Sequence, residues 1–575
     1  MEITNVDELM ESFRKRGFYY SKELIFNYFN SLITKPFVIL TGISGSGKSK
    51  IAELFAEIVS DSGEKQYELI SVKPNWRDNK GLFGFHNLID DSYYMTPLIS
   101  LFIKALSTSE KPFFLILDEM NIAKTEHYFA DYLSLIESRR IERQFKEVSE
   151  EQFSTFNFQA GQKLSEAIIL AAIDINKPGE FLDVKDYREN RFVVNWKEQF
   201  FGGQEENWTP MFRTELNQKK DGLPSRLAGR MFESIPKPNM PTQNMYRLKN
   251  KTEIDQGDLN TLINLEQLYQ DLGGGYVDEV IQDNLVLHNS PVCLGTGFND
   301  KCDINECNYK VRDKYKCPKL YDKSNEIYLI PPEMPIPLNL FTIGTVNIDE
   351  TTYMFSPKVL DRSNVIEFNE VDFSELYNLN DEMKNILANN SLIFKDDNYY
   401  FDEGKPMPDV AITMPSRDNV NQFILKSEDE FNDLLKIFSV LKKYNMHFGY
   451  RVMNEISSYM CNVYENTTYS ERAVIAMDIQ ILQKILPKFY GAYDKLWRPL
   501  IEILSLCLKT KISWEPTIGE DELRKSLGTA INVQLEGLEL SKSQVEELFK
   551  YPRSATKIIS MLNDLNSAGF ATFIK

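Results

Sequence analysis

Residues 42–49 have the sequence Gly-Ile-Ser-Gly-Ser-Gly-Lys-Ser, in which three glycines precede a lysine and a serine. Glycines at this spacing let a loop curve so that its backbone N–H groups point at one anion, which the lysine can also reach. Such a loop suits the phosphates of a nucleoside triphosphate, with the serine hydroxyl as a Mg²⁺ ligand, although an ordinary turn is the alternative. The residues expected to bind the nucleotide are Gly42, Ile43, Ser44, Gly45, Ser46, Gly47, Lys48 and Ser49.

A pair of acidic residues follows the apolar run 113–117. Such a run is typical of a buried parallel strand, which would deliver Asp118 and Glu119 to the carboxyl end of the sheet, where active sites of open α/β sheets lie. There Asp118 suits the Mg²⁺ shell beside Ser49, and Glu119 suits polarisation of the water that attacks the γ-phosphate. A plain loop or a helix cap is the alternative for such a pair.

A third apolar run, 339–347, ends at Asn347. The amide of Asn347 suits a hydrogen bond to the attacking water or to the γ-phosphate. Residues 356–362 then form a short helix-like stretch that ends at Arg362. An arginine at this place suits the transition-state charge on a nucleotide held by a neighbouring subunit, and a surface salt bridge is the alternative.

The elements that must position these residues alternate between strands and helices. Strand patterns at 37–41, 67–72 and 113–117 are each followed by a helical segment. This alternation predicts a parallel sheet with crossover helices.

Taken in order, these segments resemble the AAA+ ATPases, and within them the dynein-related branch that contains McrB, the motor of the McrBC restriction systems. The resemblance is carried by residues 42–49, 117–126, 344–362, 447–455, 478–488 and 551–554. It implies that Asn347 is the sensor-1 residue, that Arg362 is the arginine finger, and that Arg451 is a sensor-2 arginine on a helical lid that binds the nucleotide. For Arg451, a cap or an ion pair with Glu455 on the same helix is the alternative.

The resemblance also suggests a loop that faces the pore of a ring. Three residues after the second strand are candidates to contact a translocated partner there: Trp76, Arg77 and Phe83. For the tryptophan, packing within the fold is the alternative.

The chain departs from McrB at the end of the third apolar run. McrB carries Met-Asn-Thr-x-Asp-Arg there, whereas residues 346–351 are Val-Asn-Ile-Asp-Glu-Thr. We therefore expect ATP as the nucleotide, with GTP as the alternative. About thirty-five residues precede the first strand, enough for two short helices, so any recognition of nucleic acid is expected to come from elsewhere in the chain or from a partner.

The predicted fold class is α/β: an AAA+ P-loop parallel sheet with a helical lid and a large insertion domain. More than two hundred residues separate Glu119 from Asn347, where a minimal AAA+ core needs only a helix, a hairpin and a strand. The predicted divisions are N-terminal helices at 1–35, the first part of the AAA+ core at 36–140, the insertion domain at 141–282, the second part of the core with a cysteine-containing loop at 283–372, a connecting segment at 373–429, the helical lid at 430–512 and a C-terminal helical segment at 513–575.

The insertion carries a segment whose charge differs from that of the whole chain. The chain has a net charge of −19, which argues against coating nucleic acid over its entire surface, but residues 185–251 contain thirteen Lys and Arg against eight Asp and Glu. Aromatic residues are interleaved with these charges, as in surfaces that grip phosphates and stack bases. The alternative is that they form the core of the insertion. Asp174, Asp183 and Lys185 echo a Mg²⁺-dependent nuclease pattern that common residue types also match by chance.

Four of the six cysteines lie close together, at Cys293, Cys302, Cys307 and Cys317. Four thiolates suit zinc, but none of their spacings is a Cys-x-x-Cys pair, so we expect free thiols, with zinc as the less favoured alternative. No apolar stretch approaches the length of a membrane span, and the first residues are too acidic for a signal peptide. This predicts a cytoplasmic protein without membrane contact.

The resemblance implies a motor subunit that assembles as a ring, with a hexamer as the expected state, because Arg362 must reach the γ-phosphate of a neighbour. The implied cofactors are ATP, or GTP, and Mg²⁺. The implied partner is a McrC-like nuclease subunit acting on DNA in an anti-phage restriction system. Two alternatives remain: a MoxR-like chaperone that remodels proteins, and a nucleotide-gated scaffold with negligible turnover.

Overall fold

The structure is a computed structural model that describes residues 6–60, 65–177, 180–201, 205–216, 226–238, 240–297, 300–322, 327–348, 353–368, 399–402, 417–510, 522, 525, 528 and 540–574. The chain divides into two compact units. The first comprises Met1–Arg139 and Gln282–Lys575, and the second comprises Arg140–Ile281. For comparison, the sequence places the insertion domain at 141–282.

A five-stranded parallel sheet forms the centre of the first unit. Its strands are β1 (Phe37–Gly42), β2 (Tyr67–Ser71), β3 (Phe113–Asp118), β4 (Leu340–Asn347) and β5 (Asn364–Glu367). They lie in the order β5-β1-β4-β3-β2, so β4 separates β1 from β3. All of β1, and β4 up to its last residue, is buried, as expected of strands covered on both faces. The predicted α/β class and parallel sheet are confirmed.

Six helices surround this sheet or lead into it. They are α1 (Val6–Lys15), α2 (Lys22–Thr34), α3 (Lys48–Val59), α4 (Pro97–Ser107), α5 (Ala130–Ser138) and α6 (Pro357–Leu360), with shorter turns at Lys80–Phe83 and Thr125–Tyr128. Helix α3 buries Ile51, Phe55 and Ile58, which recur at the spacing of one helix face. It therefore packs on the sheet and fixes the loop before it.

A short antiparallel hairpin after β2 exposes apolar side chains. Its strands are Phe85–Asn87 and Ser92–Tyr94, and the turn between them leaves Leu88 and Ile89 83% and 93% exposed. At the base, the rings of Phe85 and Tyr94 stack with centroids 5.1 Å apart. The hairpin tip thus presents an apolar surface to solvent.

The expected partner-contacting residues lie just before this hairpin. Phe83 is buried, so the prediction that it contacts a partner is wrong. Trp76 packs edge-on against Tyr128, with ring centroids 5.3 Å apart, in agreement with the packing alternative. Arg77 is exposed.

The cysteine-containing segment of the first unit folds into small antiparallel sheets. Leu285–Val286 pairs with Glu333–Met334, and Ile327–Ile330 lies between Leu294–Gly295 and Tyr321–Asp322. Short 3₁₀ turns span Ile304–Glu306, Val311–Lys316 and Pro318–Leu320.

The sulfur atoms of two of the four cysteines have hydrogen-bond partners. The backbone N–H of Cys293 donates to the sulfur of Cys302 at 3.2 Å, while the Cys307 thiol donates to the carbonyl of Tyr309 at 3.6 Å. Cys317 carries a free thiol, as the other cysteines do. Within the described ranges no three His, Cys, Asp or Glu side chains are arranged to hold a metal ion. The zinc alternative is therefore not supported by the arrangement of these side chains.

From Arg417 onward, the described residues of the first unit form a mainly helical region. Its helices are α7 (Arg417–Lys426), α8 (Glu428–Lys443), α9 (Tyr450–Asn466), α10 (Arg472–Gln480), α11 (Tyr493–Leu506), α12 (Lys542–Leu548) and α13 (Pro552–Ala568). After α10 the chain continues through a π-helical turn, Ile481–Ile485, and a 3₁₀ turn, Leu486–Lys488. No helix of the described residues is long and apolar enough to cross a lipid bilayer.

The boundaries of this helical region differ from those predicted. The predicted lid begins at 430, whereas helices already occupy Arg417–Lys426 and the residues from Glu428. The predicted connecting segment lies outside the described residues at 373–398 and 403–416, and so does most of 511–539. The described end of the predicted C-terminal segment pairs with the predicted lid: strand Phe570–Thr572 pairs with Tyr490–Ala492. Asp478 accepts hydrogen bonds from the N–H groups of Arg553 and Ser554 at 2.9 and 2.8 Å and so caps α13.

The second unit, Arg140–Ile281, has a hydrophobic core of its own. An antiparallel ribbon pairs Arg140–Lys146 with Gly275–Ile281, and a three-stranded sheet places Met240–Leu248 between Leu182–Asp183 and Phe232–Lys237. The helices are Glu150–Ser154, Leu164–Ile175, Val184–Arg188, Arg191–Phe200, Glu205–Leu216, Leu227–Met231 and Gln256–Asp271, with a 3₁₀ turn at Lys251–Glu253.

Within residues 185–251, most of the aromatic residues pack in this core, and several of the basic residues form ion pairs. Six aromatic side chains are buried: Tyr187, Phe192, Trp208, Phe212, Phe232 and Tyr246. Several basic side chains are paired with carboxylates, among them Arg230 with Asp258 and Arg247 with Glu233, each at 2.7 Å. For these aromatic residues the core alternative therefore holds, and DNA binding through 185–251 stays a prediction.

The three residues that echo a nuclease pattern have structural contacts. Asp174 is buried and accepts hydrogen bonds from Arg191 at 2.6 Å and from the Tyr269 hydroxyl at 2.7 Å. Asp183 caps the helix that contains Lys185. Both carboxylates are thus explained by the fold of the second unit.

Candidate nucleotide-binding site

The loop between β1 and α3 has the backbone that its glycines permit. Gly47 adopts a left-handed conformation with φ +93° and forms the N-cap of α3. At Gly42, a Cβ atom would lie 2.4 Å from the carbonyl oxygen of Phe368, so a side chain there would clash with backbone. Glycine is therefore required at both ends of the loop by conformation or by space.

The open side of this loop fits a chain of phosphates. A Cβ built on Gly45 would meet nothing within 4 Å, so the loop faces free space at its middle. The ammonium group of Lys48 lies over the loop and donates to the carbonyl oxygens of Gly42 and Ile43 at 3.0 and 2.6 Å. A helix N-terminus and one cation thus lie at the loop, as a polyphosphate site requires.

A hydrogen-bonded network joins the residues at the carboxyl ends of β3 and β4. The hydroxyls of Ser49 and Thr345 both donate to Oδ1 of Asp118 at 2.6 Å. The backbone N–H of Glu119 donates to the Thr345 hydroxyl at 3.1 Å, and the amide of Asn347 donates to Oε1 of Glu119 at 3.2 Å. The predicted residues Ser49, Asp118, Glu119 and Asn347 therefore lie together.

This network also fixes the direction of each carboxylate. Glu119 has φ +53°, a left-handed conformation that is uncommon for a residue with a side chain. The N–H of Met120 donates to the Thr345 carbonyl at 2.8 Å, which holds the chain on β4 just after this turn. Asp118 and Glu119 are adjacent in sequence, yet Asp118 is held toward Ser49 and Glu119 toward Asn347.

The oxygen donors at Ser49 and Asp118 fit Mg²⁺, which prefers hard oxygen ligands and one or two carboxylates beside substrate phosphates. This fit rests on the 2.6 Å approach of the two side chains. Ser49 and Asp118 are the residues that would hold the cation.

Three residues of the site were missed by the sequence analysis. Thr345 lies two positions before Asn347, so both side chains are on the same face of β4, and strand periodicity could have indicated it. The amide of Asn121 donates to the Asn347 carbonyl at 3.3 Å. The hydroxyl of Tyr20 donates to the carbonyl of Gly47 at 3.1 Å, and no pattern in the sequence indicates this contact.

We expect Thr345→Val to lower hydrolysis about tenfold while nucleotide binding is retained, because the hydroxyl orients Asp118 and Glu119 without touching substrate. Steady-state phosphate release and binding of a fluorescent nucleotide would measure the two quantities. Thr342→Val is the matched control, since Thr342 lies on the same strand and its hydroxyl contacts Tyr132 instead. Equal effects of the two substitutions would contradict the prediction.

The two arginines predicted to contact nucleotide lie together and contact a carboxylate outside this network. Arg362 contacts Glu137, with Nε 2.7 Å from Oε2. Arg451, in the first turn of α9, contacts the other oxygen of Glu137. Arg451 also lies 3.5 Å from Asp361 and 4.0 Å from Glu455. All these partners belong to the surroundings of Arg362, so the structure gives no support for Arg451 on the nucleotide of its own subunit, and the ion-pair alternative is present.

Comparison with known families agrees with this geometry. Residues 37–177 match the AAA domain of the dynein-related subfamily, and residues 416–570 match a domain of unknown function, DUF8727. No curated protein matches the chain. The first match begins at the first residue of β1 and contains the glycine-rich loop and both carboxylates of the site. The match at residues 37–177 supports an AAA+ ATPase of the dynein-related branch.

Proposed function

We propose that the protein is a ring-forming AAA+ motor that hydrolyses ATP, with GTP as the alternative nucleotide. The observation that carries the proposal is the network from Ser49 through Asp118, Thr345 and Glu119 to Asn347, directly beside the glycine-rich loop. A cation-binding pair, a candidate base and an orienting amide at one end of one sheet are the groups that this activity needs.

Each residue of the site has a defined task in hydrolysis. The N–H groups of the loop and the ammonium of Lys48 bind the phosphates, and Ser49 with Asp118 holds the cation. Mg²⁺, when bound, neutralises charge on the β- and γ-phosphates. Glu119 polarises the attacking water and accepts its proton, and Asn347 orients the Glu119 carboxylate. The charge that develops on the γ-phosphate is stabilised by Arg362 of a neighbouring subunit.

The biological role that we propose first is a McrB-like motor in an anti-phage restriction system, where it drives a separate McrC-like nuclease subunit on DNA. The support is the sequence resemblance together with the AAA domain match at 37–177. A protein-remodelling role is the second candidate. It is favoured by the exposed apolar tip at Leu88 and Ile89, which suits a protein partner better than a phosphate backbone.

The first experiment is the hydrolysis of ATP and of GTP by the purified chain, together with its mass by light scattering. We expect nucleotide hydrolysis that depends on Mg²⁺ and whose rate per subunit rises with protein concentration. We also expect the measured mass to increase toward that of a ring when nucleotide is added. Removal of Mg²⁺ with EDTA should abolish turnover. A monomer that turns over nucleotide equally well at all concentrations would contradict the ring.

The two roles differ in the surface that the partner uses. If the protein remodels other proteins, replacement of Leu88 and Ile89 by serine should abolish the response of hydrolysis to the protein partner. DNA binding should not change. In the restriction role, DNA binding by the complex with the nuclease should stimulate hydrolysis. A chain whose hydrolysis responds neither to DNA nor to the hairpin substitutions would contradict both.

A further inference from the structure

Two arginines from different elements share one carboxylate on the surface of the first unit. Glu137 lies near the end of α5, Arg362 lies just after α6, and Arg451 lies at the start of α9. Arg362 binds Oε2 of Glu137 and Arg451 binds Oε1, so both oxygens of the carboxylate are occupied. The two guanidinium groups therefore converge on the position of a single oxyanion.

Behind this pair lies a buried cluster of charges. Glu455 pairs with Lys35 and with Lys484, the latter at 2.6 Å, and all three side chains are buried. Lys484 also donates to the carbonyl of Ser363 at 2.8 Å, and Lys35 donates to the carbonyl of Asp361 at 3.3 Å. The carbonyl groups on both sides of Arg362 are thus bound by buried lysine side chains.

The cluster as a whole carries more positive than negative charge. Its cations are Lys35, Arg362, Arg451, Lys484 and Lys488, and its anions are Glu137, Asp361 and Glu455. Five cations against three carboxylates leave a formal excess of two positive charges. Burial lowers the pKa of Lys35 to about 7, with Lys484 and Arg451 adding to this effect and Glu455 opposing it.

Only the outer members of the cluster can meet an additional anion. Lys484 and Lys35 have 1% and 8% of their side chains exposed, whereas Lys488, Arg362 and Arg451 have 19%, 22% and 35%. Glu137 supplies one negative charge to these two arginines. A terminal phosphate supplies about two charges and three oxygens, and guanidinium groups match such oxygens in pairs.

We propose that Glu137 is a built-in counter-ion, which Arg362 and Arg451 exchange for the terminal phosphate of a nucleotide held by a second copy of this chain. The inference rests on the proposed ring-forming NTPase and adds a means of regulating it. In the isolated subunit Glu137 offsets part of the charge of the two arginines and competes with assembly. In the ring the phosphate displaces Glu137, and Arg451 acts on the neighbour's nucleotide together with Arg362.

The test is Glu137→Gln, which keeps the size of the side chain and removes its charge. Hydrolysis per subunit is measured against protein concentration, in parallel with the wild type and with Glu306→Gln, which removes an exposed carboxylate paired with Lys319. We expect the half-maximal protein concentration to fall at least threefold in Glu137→Gln and to stay unchanged in Glu306→Gln. An unchanged or higher half-maximal concentration in Glu137→Gln would overturn the proposal. A maximal rate of Glu137→Gln as low as that of Arg362→Ala would also overturn the proposal, because Glu137 would then only position the arginines.

A second readout does not depend on hydrolysis. In a Glu119→Gln background with ATP, sedimentation velocity should show tighter association after Glu137→Gln, and this gain should disappear when Arg451→Ala is added. If the strength of association is the same with and without Glu137→Gln, the proposal is overturned, even though this background does not hydrolyse nucleotide. If the wild type neither hydrolyses nucleotide nor assembles, the proposed function itself fails. If it does both and Glu137→Gln equals the wild type, only the counter-ion inference fails.

Discussion

Glu119→Gln is expected to lower the kcat of nucleotide hydrolysis about 100-fold or more, because a positioned general base contributes a factor of that order or larger. Nucleotide binding should be retained, since the loop, Lys48 and the Ser49–Asp118 contact are unchanged by the substitution. The amide oxygen of glutamine can still accept from Asn347, as Oε1 of Glu119 does. Phosphate release and the affinity for a fluorescent nucleotide are the two quantities to compare.

The matched control for this substitution is Glu57→Gln. Glu57 lies on α3 and its exposed carboxylate pairs with Arg16 at 3.2 Å, so its loss should leave kcat within a factor of about two. Turnover by Glu119→Gln within threefold of the wild type would assign the base elsewhere. A function that survives without turnover would instead favour the nucleotide-gated scaffold.

Glu455→Gln is expected to destabilise the first unit by about 3–5 kcal/mol at neutral pH, because it leaves Lys35 and Lys484 buried without their carboxylate partner. The shape of the side chain is nearly unchanged, so lost packing contributes little. Denaturant unfolding followed by circular dichroism measures the loss. Glu306→Gln, which breaks an exposed pair, should cost less than about 1 kcal/mol.

The pH dependence of the same variant gives an independent check. Burial alone would raise the pKa of Glu455, but Lys35 and Lys484 outweigh it and lower the pKa from 4.5 to about 2. A carboxyl group with a depressed pKa in the folded state stabilises the protein above its unfolded pKa, and this contribution is lost as the pH falls from about 4.5 toward 2. The stability difference between wild type and Glu455→Gln should therefore shrink below pH 4.5. A difference that stays constant between pH 7 and pH 3 would contradict the charge-pair explanation.

The nucleotide site was largely predictable because its parts lie next to strands. An apolar run marks each of β1, β3 and β4, and the polar residues that follow each run meet at one edge of a parallel sheet. Ser49, Asp118, Glu119 and Asn347 could therefore be named from the sequence. Thr345 was missed because a single threonine inside a buried strand is also a common packing residue.

The arginine cluster could not be predicted in the same way. Glu137, Arg362 and Arg451 come from three elements spread over more than three hundred residues, and their meeting depends on how the helical region packs on the sheet. The prediction for Phe83 was wrong for a related reason. Phe83 and Leu88 are both strongly apolar, so the sequence does not distinguish them. In the structure Phe83 is buried before the hairpin and Leu88 is exposed at the tip.

The order of the strands in the sheet has a consequence for synthesis on the ribosome. Strand β1 has two neighbours, β4 and β5, and both are translated about three hundred residues after it. The second unit, which has its own core, is complete by Ile281, before either neighbour emerges. Because domains fold as units while the chain is made, we expect the second unit to fold first. Strand β1 would pair with its neighbours only after they have been synthesised. The glycine-rich loop, although encoded near the start, would then be among the last parts of the nascent protein to reach its final shape.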